Sequence, residues 1–343
     1  MRSYEELDLE LRPGLVLVVG ANGAGKTNLL EAVHVGSQGF SPRTRSDAEI
    51  VRFGAQAGRV ALRAVAGSRT VALDMRLHRN EGKRARVNGA VLRAFDQLRA
   101  ELAVLVFTPD RLVVVKGGPA VRRAYFDRAL ARVRPGRSTL AGDYGGALAQ
   151  RNIALRRVAA GQSSRLALAP WTERIVELGA QLVSAREELI RELQPFFCAI
   201  AAELGIAHAE LRYEAVAPTP EVLAARLDRD LERGTTGAGP HLDDIGIVAE
   251  GRELRAFGSQ GEQRLAVLAL LLAEAELLSQ RRAVPPLLLL DDVLSELDER
   301  RRRVLTETIG DRGQVLVTAT TARALPKEPA ELVEVTPGFA RRR

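Results

Sequence analysis

The segment Gly20-Ala-Asn-Gly-Ala-Gly-Lys-Thr27 restricts what this chain can fold into more than any other. It follows the apolar run Leu15-Val-Leu-Val-Val19 and precedes Asn28-Leu-Leu-Glu-Ala-Val-His34, whose apolar residues recur at helical spacing. Strand, glycine loop and helix together form the setting in which G-x-x-x-x-G-K-[ST] binds phosphate. Small residues at Gly20, Ala21, Asn22, Gly23, Ala24 and Gly25 let successive backbone N–H groups turn inward around an anion. The helix N-terminus adds its dipole, Lys26 reaches the β/γ oxygens, and Thr27 is placed to ligate Mg²⁺, with Asn28 next in the loop. A nucleoside triphosphate and a parallel α/β sheet are the expectation.

A second element agrees with the first. Pro285-Pro-Leu-Leu-Leu-Leu-Asp-Asp292 is a buried-strand pattern closed by two carboxylates. A strand ending there sets Asp291 at the carboxyl edge of the sheet, beside the phosphate loop, where it can hold the Mg²⁺ shell. Asp292, one residue on, is expected to point the other way across the strand and to orient the attacking water.

Between these motifs lies Phe257-Gly-Ser-Gln-Gly-Glu-Gln-Arg264, followed by a helical run from Leu265 to Leu278, and Ser295-Glu-Leu-Asp298 follows the acidic pair. Ser259, Gln260, Gly261 and Glu262 resemble the signature turn of the ABC ATPases, and the stretch ending in Asp298 resembles their D-loop. The order of the four motifs is the one that class uses. The resemblance implies an ATP-dependent homodimer, because in this class the signature helix faces the γ-phosphate held by a second copy. ATP is then a clamp as well as a fuel.

With 343 residues the chain has room for two domains or one domain carrying an insertion. Alternating stretches between Arg59 and Leu77, and the hairpin dipeptide Asn88-Gly89, predict a small antiparallel sheet. Leu102 to Phe107 reads as another buried strand. Val115-Lys-Gly-Gly-Pro119 breaks the pattern, and helical spacing then recurs over Arg122 to Arg132, Tyr144 to Val158 and Glu173 to Leu193. In the last, Leu178, Leu182, Ala185 and Leu189 admit a short coiled coil, but under three heptads favour an amphipathic bundle helix. The expected organisation is an ABC-type ATPase head of residues 1–118 and 235–343, a mixed sheet plus an antiparallel β-subdomain, with residues 119–234 as an inserted helical lobe.

Charge is where composition bears on partners. Of 50 basic residues only Lys26, Lys83, Lys116 and Lys327 are lysines, and residues 1–118 carry +6, 119–234 +3 and 235–343 −2. Coding bias accounts for the preference for Arg; its position hints at an anionic partner for the first two-thirds. Arg76, Arg79, Lys83, Arg84 and Arg86 lie on the predicted hairpin and are candidates to grip a DNA backbone, against the plainer reading of a solvated face with Asp74 and Glu81. Aromatic content of 4% is too sparse for a base-stacking platform. The single cysteine, Cys198, makes no internal disulfide, no cationic and apolar leader opens the chain, and no apolar run is long enough to span a membrane. A reducing cytoplasm is the expected home. His241 with Asp243 and Asp244 is poor Zn²⁺ chemistry and is read as fold-holding or phosphate-edge.

The whole chain resembles the RecF family of bacterial gap-repair proteins. Gly25-Lys-Thr-Asn-Leu-Leu-Glu-Ala32, Ser41 to Gly54, Phe107-Thr-Pro-Asp-Arg-Leu-Val-Val-Val-Lys-Gly-Gly-Pro119 with Arg122, Arg123 and Asp127, Gln150-Arg-Asn152 and Gly239-Pro-His-Leu-Asp-Asp244 carry the resemblance. It departs at Leu242, where the family has Arg, and at its start, where the family has a further strand. Ala319, Thr320 and Thr321 follow Val315-Leu-Val-Thr318 where transporter-type heads place a switch histidine, so slow turnover is expected. No Q-loop glutamine is assigned.

The resemblance implies a weak DNA-stimulated ATPase that binds double-stranded and gapped DNA. It also implies work with RecR and RecO to help load RecA at single-strand gaps, in recombinational repair, replication restart and SOS induction. The alternatives are the nucleotide-binding subunit of an ABC transporter and a Rad50- or SMC-like head. The missing switch histidine and the helical insertion weigh against the first. The second needs long heptad arms, and here Pro170, Pro195, Pro218 and Pro220 interrupt the insertion.

Overall fold

The computed structural model describes residues 1–343 apart from Gly67, Val216, Ala283, Asp311 and Arg312, and the side chains of the rest apart from Ala66, Asp96 and Glu296. Two compact units divide it. The first comprises Met1–Arg111, Glu203–Gly205 and Leu278–Arg343, and the second Leu112–Ala202 and Ile206–Leu277.

The first unit is built on a six-stranded sheet in the order Phe339–Arg342, Glu331–Thr336, Leu15–Val19, Val315–Ala319, Leu287–Leu290, Val104–Phe107. All neighbours are parallel except the outermost pair, Glu331–Thr336 with Phe339–Arg342. The central strands are apolar at every position but Thr318 because both faces are covered; Leu15–Val19, Leu287–Leu290 and Val315–Ala319 are buried throughout. Val16, Val18, Leu30, Val106, Leu289 and Leu316 belong to one core.

A second, antiparallel sheet of Ala57–Ala66, Arg69–His78, Gly82–Val87 and Ala90–Val91 packs in the same unit. Its strands alternate: Val71, Leu73, Met75 and Leu77 are buried in a core with Val35, Ile50 and Leu98. Asn88 and Gly89 both take positive φ, 49° and 86°, as the two-residue hairpin requires. The Asn88 side chain also accepts from the Ala72 amide at 2.9 Å.

Helices dominate the second unit: Pro119–Val133, Leu140–Ala159, Ala169–Glu203 and most of Gln260–Arg281. A three-stranded sheet of Glu210–Glu214, Asp244–Ala249 and Arg252–Glu253 accompanies them. Leu178, Leu182, Ala185 and Leu189 are all buried with Ile175, Leu193 and Phe197, the packing of an amphipathic bundle helix. The strand Glu210–Glu214 was not legible in the sequence, where Glu210, Arg212 and Glu214 hide a short edge.

The main divisions between the units fall at Arg111/Leu112 and within helix Gln260–Arg281. The physical reason lies in buried charge. Glu274, 1% exposed, accepts from the Tyr125 hydroxyl at 3.1 Å and pairs with Arg132 at 2.5 Å. Arg122, equally enclosed, holds Asp244 through two nitrogens at 2.7 and 2.6 Å. Residues 235–277 therefore fold with the helices that follow Leu112.

Candidate nucleotide site

The loop after strand Leu15–Val19 turns into helix Lys26–Gln38 through Gly25, whose φ of 112° and ψ of 8° place it in the left-handed region. A side chain there would be strained, and its Cβ would come within 2.9 Å of the Ser3 hydroxyl oxygen. Gly20 is fixed differently: a Cβ would stand 2.3 Å from the Val335 carbonyl oxygen of a neighbouring strand. The buried Tyr4 hydroxyl donates to the Gly25 carbonyl at 3.1 Å, and burial pushes its phenol up to about 12. Asn28 is held by the Ser3 hydroxyl, to which its amide donates at 3.0 Å.

Lys26 folds back over its own loop, with Nζ donating to the Gly20 and Ala21 carbonyls at 2.8 and 3.0 Å. The Thr27 hydroxyl lies 3.0 and 2.9 Å from the two oxygens of Asp291. The adjacency of the two motifs, expected from the sequence, is thus a direct bond within the first unit.

Strand Val315–Ala319 lies between the phosphate-loop strand and the acidic strand. Its Thr318, fully buried, donates to Asp291 at 2.8 Å and accepts from the Asp292 amide at 2.8 Å. Burial raises the Asp291 carboxyl above its ordinary range, and the hydroxyls of Thr318 and Thr27 oppose that. Sequence reasoning passed over Thr318 because it looked one residue further for a histidine. The signal was there: a hydroxyl within an otherwise apolar central strand.

Asp292 parts from Asp291 by a turn rather than by alternation along the strand. The strand ends at Leu290, so alternation does not set its direction; a left-handed residue, φ 51° and ψ 27°, turns it out of the sheet. Its side of the turn is exposed, and its carbonyl accepts from the Ser295 hydroxyl at 2.9 Å. Asp298 caps helix Glu299–Gly310 by accepting from the Arg301 amide at 2.8 Å.

A further cluster, unread in the sequence, surrounds the phosphate-loop helix. Glu31, 2% exposed, takes two bonds from Arg2 at 2.9 Å and one from the Ser41 hydroxyl at 2.5 Å, with Arg43 at 3.5 Å. The second strong resemblance, Ser41 onwards, is therefore the segment that neutralises this buried acid.

The signature residues belong to the second unit. Ser259 and Glu262 form a reciprocal cap on helix Gln260–Arg281: the Ser259 amide donates to the Glu262 carboxylate at 2.7 Å, and the Glu262 amide to the Ser259 hydroxyl at 3.2 Å. Ser259, Gln260, Gly261 and Glu262 are all exposed, as is Phe257.

The basic hairpin candidates separate. Arg76, Arg84 and Arg86 stand on the solvent face of the antiparallel sheet, whereas Lys83 turns to Asp47 at 3.1 Å and Arg79 donates to the Arg52 carbonyl at 3.2 Å. His241 uses both ring nitrogens, with Tyr144 at 2.8 Å and the Thr236 carbonyl at 2.9 Å. Asp243 is held by Tyr213 and Asp244 by Arg122, so this trio ties the second unit together.

The family model for the RecF/RecN/SMC N terminal domain matches residues 1–339. The DNA replication and repair protein RecF of Heliobacterium modesticaldum is 34% identical over 341 residues, spanning 95% of this chain and 92% of the relative. The same protein of Frankia alni is 37% identical over 352 residues, spanning 95% and 93%. The chain belongs to the RecF family. A solved structure of the recombination mediator protein RecF with ATP, of the RecFOR pathway, superimposes with a TM-score of 0.88 at 27% identity, covering 100% of this chain and 95% of that one. The Smc head domain of Pyrococcus furiosus bound to the C-terminal domain of ScpA shares the fold, with a TM-score of 0.56 at 16% identity, covering 96% and 89%. RecF proteins thus match the chain end to end, helical unit included, as the sequence resemblance implied.

Proposed function

We propose that this chain is an ATP-dependent DNA-binding protein of recombinational repair that closes as a homodimer on ATP. The bond set Thr27–Asp291–Thr318 beneath the phosphate loop carries the reading. It gathers a hydroxyl and a buried carboxylate of the kind that hold Mg²⁺ beside a triphosphate. Those oxygens are hard donors and fit the ion. The loop N–H groups and the Lys26 ammonium, now on loop carbonyls, are placed to receive the β- and γ-phosphates.

Mg²⁺ would supply charge neutralisation on the phosphate oxygens. The chain's own parts then divide the remaining work. Asp292, turned out of the sheet, holds and polarises water, while exposed Ser259 and its helix N-terminus are offered to the nucleotide of a second copy. No imidazole follows strand Val315–Ala319, so hydrolysis is slow and acts as a release step, stimulated by DNA.

The relatives' names extend the reading to partners. Proteins called DNA replication and repair protein, and a structure placed in the RecFOR pathway, support DNA as the substrate and a setting shared with RecO and RecR. The finer reading, which rests on the family resemblance, is duplex and gapped DNA, RecR with RecO as partners in loading RecA, and a place on the nucleoid in the cytoplasm during replication restart and SOS induction. No helix among the described residues is long and apolar enough to cross a membrane. The near-complete match to RecF chains favours this reading over a transporter subunit.

Sedimentation velocity with and without ATP and duplex DNA tests it. A monomer that becomes a dimer with ATP, and turns over slowly and faster on DNA, is expected. A sedimentation coefficient indifferent to ATP would sink the clamp.

A further inference from the structure

The antiparallel sheet of the first unit buries one face and leaves the other open. Register puts Arg59 opposite Arg76 and Arg76 opposite Arg84, a row of three arginines across three strands. Arg63 stands further along the first of these strands, and Arg86 faces Asp74 one row over. All five arginines are exposed, as are Ala61, Thr70 and Ala72 between them. Small neighbours leave the guanidinium groups uncovered.

Like charges set directly opposite one another in a sheet are destabilising. Here the one acid among the outward strand positions is Asp74. It takes Arg59 at 2.7 Å and Arg76 at 3.6 Å, and the Arg59 hydrogen bond holds its carboxyl below the usual range. Five guanidinium groups against one carboxylate leave a surplus that the fold itself does not need.

We propose that this face is a contact surface for the phosphate backbone of duplex DNA. The proposal rests on the reading that the chain binds DNA and names the surface that does so. Strands stand about 4.8 Å apart and rise about 3.3 Å per residue, so the patch measures roughly 10 by 13 Å. Over 13 Å one strand of a duplex presents about four phosphates, which matches the surplus. Guanidinium forks suit phosphate oxygens. The outward strand positions carry no Phe, Tyr or Trp, so the face reads charge and shape rather than base identity. Lys83 and Arg79, tied to Asp47 and the Arg52 carbonyl, lie outside it.

The test compares wild type with Arg59→Gln/Arg76→Gln/Arg84→Gln on a labelled duplex of about 30 base pairs over a range of salt. The triple variant should lose roughly a hundredfold in affinity at about 0.1 M salt and flatten the log K against log[salt] slope by about 2.7. Fluorescent-ATP binding should be unchanged, since none of the three touches the phosphate loop, a cooperative melting transition should show that the variant folds, and Lys83→Gln should keep the full slope. A wild type that binds duplex with a steep slope, with the triple variant on the same line, overturns the face alone. A wild type that binds no duplex in any nucleotide state overturns the DNA reading beneath it. Tighter binding of an RNA duplex of equal length overturns the choice of DNA.

Discussion

The Thr318 hydroxyl donates to one oxygen of Asp291 at 2.8 Å while accepting, at the same length, from the amide of Asp292. One buried side chain thus holds the Asp291 carboxylate and the turn that presents its neighbour. Thr318→Val keeps the shape and removes both bonds. Outer-shell partners of this kind are typically worth 10–100-fold in metal affinity or activity. We expect a loss of that size in ATP turnover with a raised Mg²⁺ requirement, and recovery in Thr318→Ser; steady-state kinetics at varied Mg²⁺ reads both. Unchanged kinetics in the valine variant would remove Thr318 from the site.

Lys26→Met should abolish nucleotide binding, because it removes the ammonium that rests on the Gly20 and Ala21 carbonyls of the loop. Asp292→Asn should bind ATP normally and accumulate a dimer that does not reopen. Equilibrium binding of a fluorescent nucleotide, followed by sedimentation, separates the two. Tight binding by Lys26→Met would contradict the loop assignment.

Ser259→Arg should bind ATP as wild type does and yet remain a monomer, since the proposed function makes this exposed cap the surface that meets a second copy. Glu262→Ala removes the carboxylate half of the reciprocal cap and should cost about 1 kcal/mol of stability. A Ser259→Arg protein that dimerised on ATP would refute the signature role.

Arg151 and Asp230 are 1% exposed apiece and 3.1 Å apart in the second unit. Asp230→Ala strands a buried guanidinium and should cost about 3–5 kcal/mol. Thr236, which accepts from Arg151 at 2.8 Å, softens the loss but cannot neutralise the charge. Chemical denaturation should therefore show a clearly lowered midpoint, and one within error of wild type would argue against a dry ion pair.

Burial lowers the His241 imidazole below its ordinary value, so the folded state prefers it neutral. The unfolded chain then binds the proton first as pH falls. Stability from this residue is present above about pH 6.5 and is lost as pH drops toward the folded value, with a slope of at most about 1.4 kcal/mol per pH unit. Melting curves from pH 7.5 to about 5 should show this loss, and His241→Gln should lack that component of it. A wild type and variant with parallel pH profiles would mean that His241 does not titrate in this window.

Much of the site was legible because its chemistry is local. A phosphate loop needs glycines, a lysine and a hydroxyl within eight residues, and a buried strand announces itself by an unbroken apolar run. Lys26, Thr27 and Asp291 could be named for that reason, and so could the antiparallel sheet with its Asn88-Gly89 turn. Asp292 is set apart from buried Asp291 by a positive φ just beyond the strand, which alternation along the strand does not foretell. The strand Glu331–Thr336 and the edge strand Phe339–Arg342 were unread, because alternating Glu and Val in the first and two arginines in the second lack the unbroken apolar signature.

What the chain's order alone determined is the kind of head this is: strand, loop and helix in succession, four motifs in sequence, and a family resemblance that the comparisons bear out. Only tertiary structure decided which residues stand together across long separations. Thr318 meets Asp291 because sheet order inserts its strand between two others, and residues 235–277 join the helices through buried ion pairs with Arg122 and Arg132. The same holds for charge. A run of basic residues from Arg76 to Arg86 reads as one patch in sequence, but a strand's period of two sends Arg84 and Arg86 to solvent and Lys83 to Asp47, and register brings in Arg59 from 17 positions away. Pairing across strands is set by hydrogen bonding and burial over the whole sheet, which no window of the sequence contains.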